Sequence, residues 1–88
     1  MPNVIRLNDP TSHGGKVVSV SATWFTVEGI AVARVGDLCI CPQRGHKICT
    51  VAEGDPHHIV NGLAVAYEGH KTTCGATLIS TISNFRNK

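Results

Sequence analysis

A repeat inside the chain constrains its fold more than any other feature. Residues 27–42 read V-E-G-I-A-V-A-R-V-G-D-L-C-I-C-P, and residues 60–75 read V-N-G-L-A-V-A-Y-E-G-H-K-T-T-C-G. Seven of the sixteen pairs are identical: Val27/Val60, Gly29/Gly62, Ala31/Ala64, Val32/Val65, Ala33/Ala66, Gly36/Gly69 and Cys41/Cys74. Unrelated segments of average composition would share roughly one. A shorter third copy lies near the N-terminus, where R-L-N-D-P-T-S-H-G (6–14) lines up with R-V-G-D-L-C-I-C-P (34–42). The copies start 28 and 33 residues apart. Units this short share one core instead of each burying its own. The expectation is a single domain, residues 1–88, of three hairpin-like lobes related by a pseudo-threefold axis.

The local pattern within the lobes is that of strands and turns. Asn61-Gly62 separates two apolar runs, 58–60 and 63–67, which is a strong short-range hairpin signal. Segment 17–27 alternates in places, with Val18, Val20, Ala22 and Trp24 expected on one face, and Glu28-Gly29 and Gly36-Asp37 follow as turns. Nine Gly and four Pro punctuate the chain. No stretch of ten residues keeps a 3.6-residue apolar period. The fold class is all-β.

Composition removes several functional classes. Apolar residues make up 42% and charged residues 16%, too apolar a balance for a disordered tail. The longest apolar runs, 30–33 and 63–67, are far too short for a membrane-spanning helix. Asn8, Asp9 and Pro10 interrupt the N-terminus too early for a signal peptide, so the chain is expected to be made and to remain initially in the cytoplasm. A net charge of +2 with no run of Lys or Arg argues against a nucleic-acid partner. No P-loop, dinucleotide-binding glycine pattern or H-E-x-x-H motif is present, and no enzymatic activity is expected.

Only four large aromatics occur: Trp24, Phe25, Tyr67 and Phe85. A small domain with a core of Val, Ala and Ile generally needs disulfides, a metal or a partner chain. Four Cys and five His are available, and the missing secretory signal favours a metal over disulfides. His13, Cys41 and Cys74 occupy one repeat phase, each four residues after Asp9, Asp37 or His70. Threefold symmetry would turn all three towards the axis. His46, in the turn-rich segment C-P-Q-R-G-H, is the candidate fourth ligand, and Gly14, Gly15, Gly45 and Gly75 flank these positions. Thiolate with imidazole favours zinc, and four protein ligands leave no position for a catalytic water. One structural zinc ion is therefore expected. Two disulfides, or plain buried thiols, are the competing readings. A Cys-His nucleophile would need an oxyanion hole that nothing marks. Cys39 and Cys49 fall outside the repeat phase and read as structural or spare. Asp9 and Asp37 read as turn caps, and His57 and His58 as residues of a strand edge or surface. His70, standing where the other copies have Asp, reads as a partner of the site or a substitute ligand.

These motifs resemble the PAAR-repeat proteins, which sharpen the tip of the type VI secretion spike. The resemblance rests on D-P-T-S-H-G-G (9–15), G-I-A-V-A-R-V-G-D (29–37) with C-P at 41–42, and G-L-A-V-A-Y-E-G-H-K-T-T-C-G (62–75), and it spans nearly the whole chain. The family's Pro-Ala-Ala-Arg tetrapeptide stands here as A-V-A-R at 31–34 and A-V-A-Y at 64–67. The resemblance implies a metal held by three His and one Cys, which sets His70 or His58 beside Cys41 as alternative ligands. The resemblance implies a cone-shaped, monomeric β domain with zinc near its vertex. Its base would sit on a VgrG-type spike homotrimer, one tip per trimer, with the apolar stretch 76–85 at the base or in the last lobe. The role implied is mechanical: the tip leaves with the secretion needle and meets the target membrane transiently. The chain length leaves no fused cargo domain, so an effector would attach as a separate chain. The alternative function is an intracellular zinc-binding adaptor or redox module.

Overall fold

The computed structural model describes residues 3–42 and 48–82. Seven short strands occur in them and no helix: β1 (Lys16–Ser19), β2 (Thr26–Val27), β3 (Ile30–Ala31), β4 (Leu38–Ile40), β5 (Ile48–Thr50), β6 (Asp55–Val60) and β7 (Leu63–Val65). They form a three-stranded sheet in the order β1-β4-β5 and two hairpins, β2-β3 and β6-β7, all antiparallel. The all-β expectation holds.

The three copies are joined at their backbones. Ala33 N–H donates to the Ile5 carbonyl (2.8 Å), Ala66 N–H to that of Ala33 (3.0 Å), and Ile5 N–H to that of Ala66 (2.9 Å). These three bonds close a ring, with one member from each copy. A second set has the same threefold pattern: Leu7 to Ala31, Val35 to Ala64 and Glu68 to Asn3, each at 2.9 Å. Each copy thus satisfies its polar backbone on its two neighbours, and no lobe is complete alone. The side chains of the ring, Ile5, Ala33 and Ala66, are fully buried. Alanine at two of the three places lets the backbones approach this closely.

After the ring each copy makes the same turn. Asp9, Asp37 and His70 N–H groups donate to the carbonyls of Arg6, Arg34 and Tyr67 at 3.0, 3.1 and 3.1 Å. The third residue of each turn is left-handed: Asn8 (φ 74°), Gly36 (φ 95°) and Gly69 (φ 96°). That is the type II requirement, met by glycine or asparagine. The same acceptor–donor step then buries Val17, Val51 and Leu78, whose N–H groups donate to Asp9, Asp37 and His70 carbonyls.

Both hairpins turn as the sequence indicates. Asn61 (φ 49°) and Gly62 (φ 84°) link β6 to β7, and Glu28 (φ 54°) and Gly29 (φ 82°) link β2 to β3. Two successive left-handed residues define the type I′ turn that suits strand twist. Segment 17–27 departs from expectation. The pairing of β1 with β4 shifts register between Val17 and Ser19, and this bulge breaks the alternation. Val17, Val20 and Ala22 face the core, while Val18 and Trp24 are exposed. The Trp24 ring lies 5.6 Å from the Arg34 guanidinium carbon, a cation–π arrangement at the surface. Of the C-terminal stretch, Ala76 and Leu78 lie in the core of the last lobe, and residues 83–85 lie outside the described residues.

Candidate metal centre

Beyond the threefold turns, the first and third copies close a small loop in the same way. Thr11 N–H donates to the Gly15 carbonyl and Thr72 N–H to that of Ala76, both at 2.9 Å, while the two hydroxyls accept from Gly15 and Ala76 N–H, both at 3.2 Å. His13 and Cys74 stand at the same place in these loops. Left-handed glycines follow them, Gly14 (φ 82°) and Gly75 (φ 86°). In the second copy β4 takes this course, with Cys39 where the others have Thr11 and Thr72, and Cys41 where they have His13 and Cys74. The approach is tight at Gly15, where any Cβ would come within 1.8 Å of the Ile40 carbonyl oxygen.

Three symmetry-related side chains therefore meet. His13 Nδ1 is 3.5 Å from Cys41 Sγ and 3.9 Å from Cys74 Sγ, and the three atoms all lie within 4.8 Å of one another. Equivalent atoms this close together must lie near the axis that relates them. Zinc bonds of about 2.3 Å to sulfur and 2.0–2.1 Å to nitrogen give tetrahedral ligand separations of roughly 3.5 Å. The two nitrogen–sulfur distances, 3.5 and 3.9 Å, are near the edge length of such a tetrahedron. Cys41 is buried, His13 and Cys74 half-buried. This group of nitrogen and sulfur donors fits a tetrahedral metal ion. His46, the expected fourth ligand, lies outside the described residues.

The two alternative histidines are placed elsewhere. His70 Nδ1 accepts the Tyr67 N–H at 2.9 Å. Asp9 Oδ2 and Asp37 Oδ2 accept the Arg6 and Arg34 N–H groups in the same way, at 2.7 and 2.8 Å. His70 thus does the turn-capping work of the aspartates with a ring nitrogen. His58 Nδ1 lies 2.6 Å from the Tyr67 hydroxyl, in a small aromatic cluster with Phe25. Neither histidine joins the His13–Cys41–Cys74 group. Arg6 and Arg34, both buried, donate across to the Val27 and Val60 carbonyls and tie each turn to a hairpin.

Cys39 and Cys49 depart from the reading that set them outside the repeat. Counting back from the equivalent residues Val17, Val51 and Leu78 aligns Cys49 with Gly15 and Ala76. The link from Cys41 to Cys49 is six residues longer than that from His13 to Gly15, and this insertion hides the correspondence in the sequence. Cys49 Sγ lies 3.2 Å from Cys74 Sγ, and the Thr72 hydroxyl lies 3.1 Å from that same sulfur. Sequence reasoning missed both neighbours; extending the repeat past the insertion would have found them.

No curated protein matches the chain. Residues 7–80, which contain both hairpins and the three converging ligands, match the PAAR motif. With most of its length accounted for by that match, the chain belongs to the PAAR-motif family, the family of type VI secretion spike tips.

Proposed function

We propose that this chain is the sharp tip capping a VgrG-type spike homotrimer, one tip per trimer, with a single zinc ion tying its three lobes together. The observation that carries the reading is the closed threefold ring of backbone bonds through Ile5, Ala33 and Ala66. A single chain with three equivalent faces can offer the same contact to each subunit of a trimer. The hairpins repeat as well: Ile30 and Leu63 are equivalent, and both are exposed. A free strand edge in such a hairpin could continue a partner's sheet by β-augmentation, which would also cover it.

His13, Cys41 and Cys74 would hold the ion, with His46 as the fourth ligand. A closed tetrahedral site supplies a rigid cross-link and no reactive position. The function is mechanical, not enzymatic: a stiff point concentrates the force that drives the needle into a target envelope. The chain would be made in the cytoplasm and leave with the needle, contacting the target membrane transiently. The test is to mix the purified chain with its VgrG-type trimer and measure the complex by size exclusion with light scattering. One chain per three spike subunits is expected. Three chains per trimer, or no complex, would overturn the proposal.

A further inference from the structure

The strand pairing between the second and third lobes brings two sulfurs together. Val51 bridges Thr72 in antiparallel register, with Ala52 N–H donating to the Lys71 carbonyl at 2.9 Å and Thr73 N–H to that of Thr50 at 2.8 Å. Counting two residues along places Cys49 opposite Cys74, and their Sγ atoms are 3.2 Å apart. Val51 and Thr72 form a non-hydrogen-bonded pair, and the same pair type recurs two residues on. Facing Cα atoms in such pairs approach to about 4.5 Å, within the roughly 4.4–6.8 Å that a disulfide spans. The fold does not need a thiol at Cys49, because glycine and alanine fill its place in the other two lobes, at Gly15 and Ala76.

We propose that Cys49 and Cys74 close a reversible disulfide when the protein meets hydrogen peroxide, and that closure withdraws Cys74 from the metal group. Cys74 is half-buried and Cys49 buried, so the oxidant reaches Cys74 first. The Cys74 sulfur attacks one peroxide oxygen, the O–O bond breaks, and the departing hydroxide takes a proton to become water. The Cys49 sulfur then attacks the sulfenic sulfur of Cys74. The S–O bond breaks, and its hydroxide leaves with the Cys49 proton as a second water. Two thiols lose two electrons in all, and one peroxide becomes two waters. His13 and Cys41 then remain as ligands from the described group, with the third sulfur spent in a covalent bond.

The withdrawal of a ligand rests on the metal reading above, whereas the disulfide does not. The experiment treats the full chain, zinc-loaded and zinc-free, with hydrogen peroxide, maps disulfides by peptide mass spectrometry, and follows released zinc with a chromogenic chelator. A Cys49–Cys74 cross-link is expected in both samples. In the loaded one, a metal ion should be released per disulfide formed and rebind after dithiothreitol. Cys49→Ala should abolish the cross-link and make peroxide-driven zinc loss irreversible, while Cys39→Ala should leave both intact. A dominant link between any other pair, or cysteines that all stay open to alkylation, would overturn the disulfide. Zinc retained in a fully cross-linked chain would overturn the ligand withdrawal. A chain that binds no zinc at all would fail the metal reading and leave the zinc-free mapping to decide the disulfide.

Discussion

Burial pushes the Cys74 thiol up, but hydrogen bonds from the Thr72 hydroxyl, the Cys49 thiol and the Ala76 N–H outweigh it and hold the pKa at about 5. Cys49, desolvated and donating to that thiolate, is pushed up to about 11. One sulfur of the pair is thus ionised near neutral pH before a metal arrives, which is the form that binds one. The consequence for the metal-free protein has a definite sign. The folded pKa lies below the ordinary 9.0, so the stabilisation from Cys74 is full above pH 9 and is lost as pH falls through about 5. Urea midpoints of metal-free protein should fall between pH 8 and pH 5 by more than those of Cys74→Ser. Equal slopes in the two proteins would refute it. His70 allows a separate substitution. His70→Asp restores the residue that the other copies use, and an aspartate oxygen can accept the Tyr67 N–H in place of Nδ1. Native mass spectrometry should find its metal content unchanged. A metal-free His70→Asp protein would move that histidine into the ligand set.

At the scale of elements, turn chemistry shows which parts of the fold were legible. Asn61-Gly62 and Glu28-Gly29 were readable because a type I′ turn is set by its own two residues. The capping carboxylates Asp9 and Asp37 were readable for the same reason, since the N–H that each accepts from lies only three residues away. The β1 bulge was not readable. It depends on how β1 registers against β4, a contact about twenty residues away in sequence that leaves no mark on the local alternation. The kinship of Cys49 with Gly15 and Ala76 was hidden by the six extra residues between Cys41 and Cys49 in the sequence. Glu28 offers a test of turn energetics. It holds a left-handed conformation that costs an ordinary residue about 1 kcal/mol, and less for Asn. Its ion pair with Arg6, at 3.6 Å and largely exposed on the Glu28 side, contributes well under about 1 kcal/mol. Glu28→Asn is therefore expected to raise stability by roughly 0.5 kcal/mol, read as a higher denaturant midpoint at an unchanged slope. A lower midpoint would show the ion pair to be the larger of the two.

For the whole molecule, the threefold backbone explains how a chain with few aromatics holds together. The core is built from aliphatic residues, Ile5, Ala33 and Ala66 on the ring and Val17, Val51 and Leu78 beside it. The convergence of His13, Cys41 and Cys74 gathers the three lobes at one point. Structural zinc in small peptides contributes on the order of 10–16 kcal/mol, which rivals the whole stability of a typical domain, about 5–15 kcal/mol. Chelation, or His13→Ala, should accordingly lower the thermal midpoint sharply or abolish cooperative unfolding in calorimetry. Equal midpoints with and without metal would show that the lobes need no tie.

The ring through Ile5, Ala33 and Ala66 has one more consequence. Its backbone returns to itself on a one-third rotation, whereas the side chains of the three lobes do not. Any threefold partner that reads only the backbone can receive the molecule in three orientations. That choice adds RT ln 3 of mixing entropy, roughly 0.6 kcal/mol, to the association. Each side chain that differs between lobes, such as Tyr67 where the others carry Arg6 and Arg34, interrupts that degeneracy. Images averaged over threefold symmetry would keep the ring sharp and blend those side chains into one another.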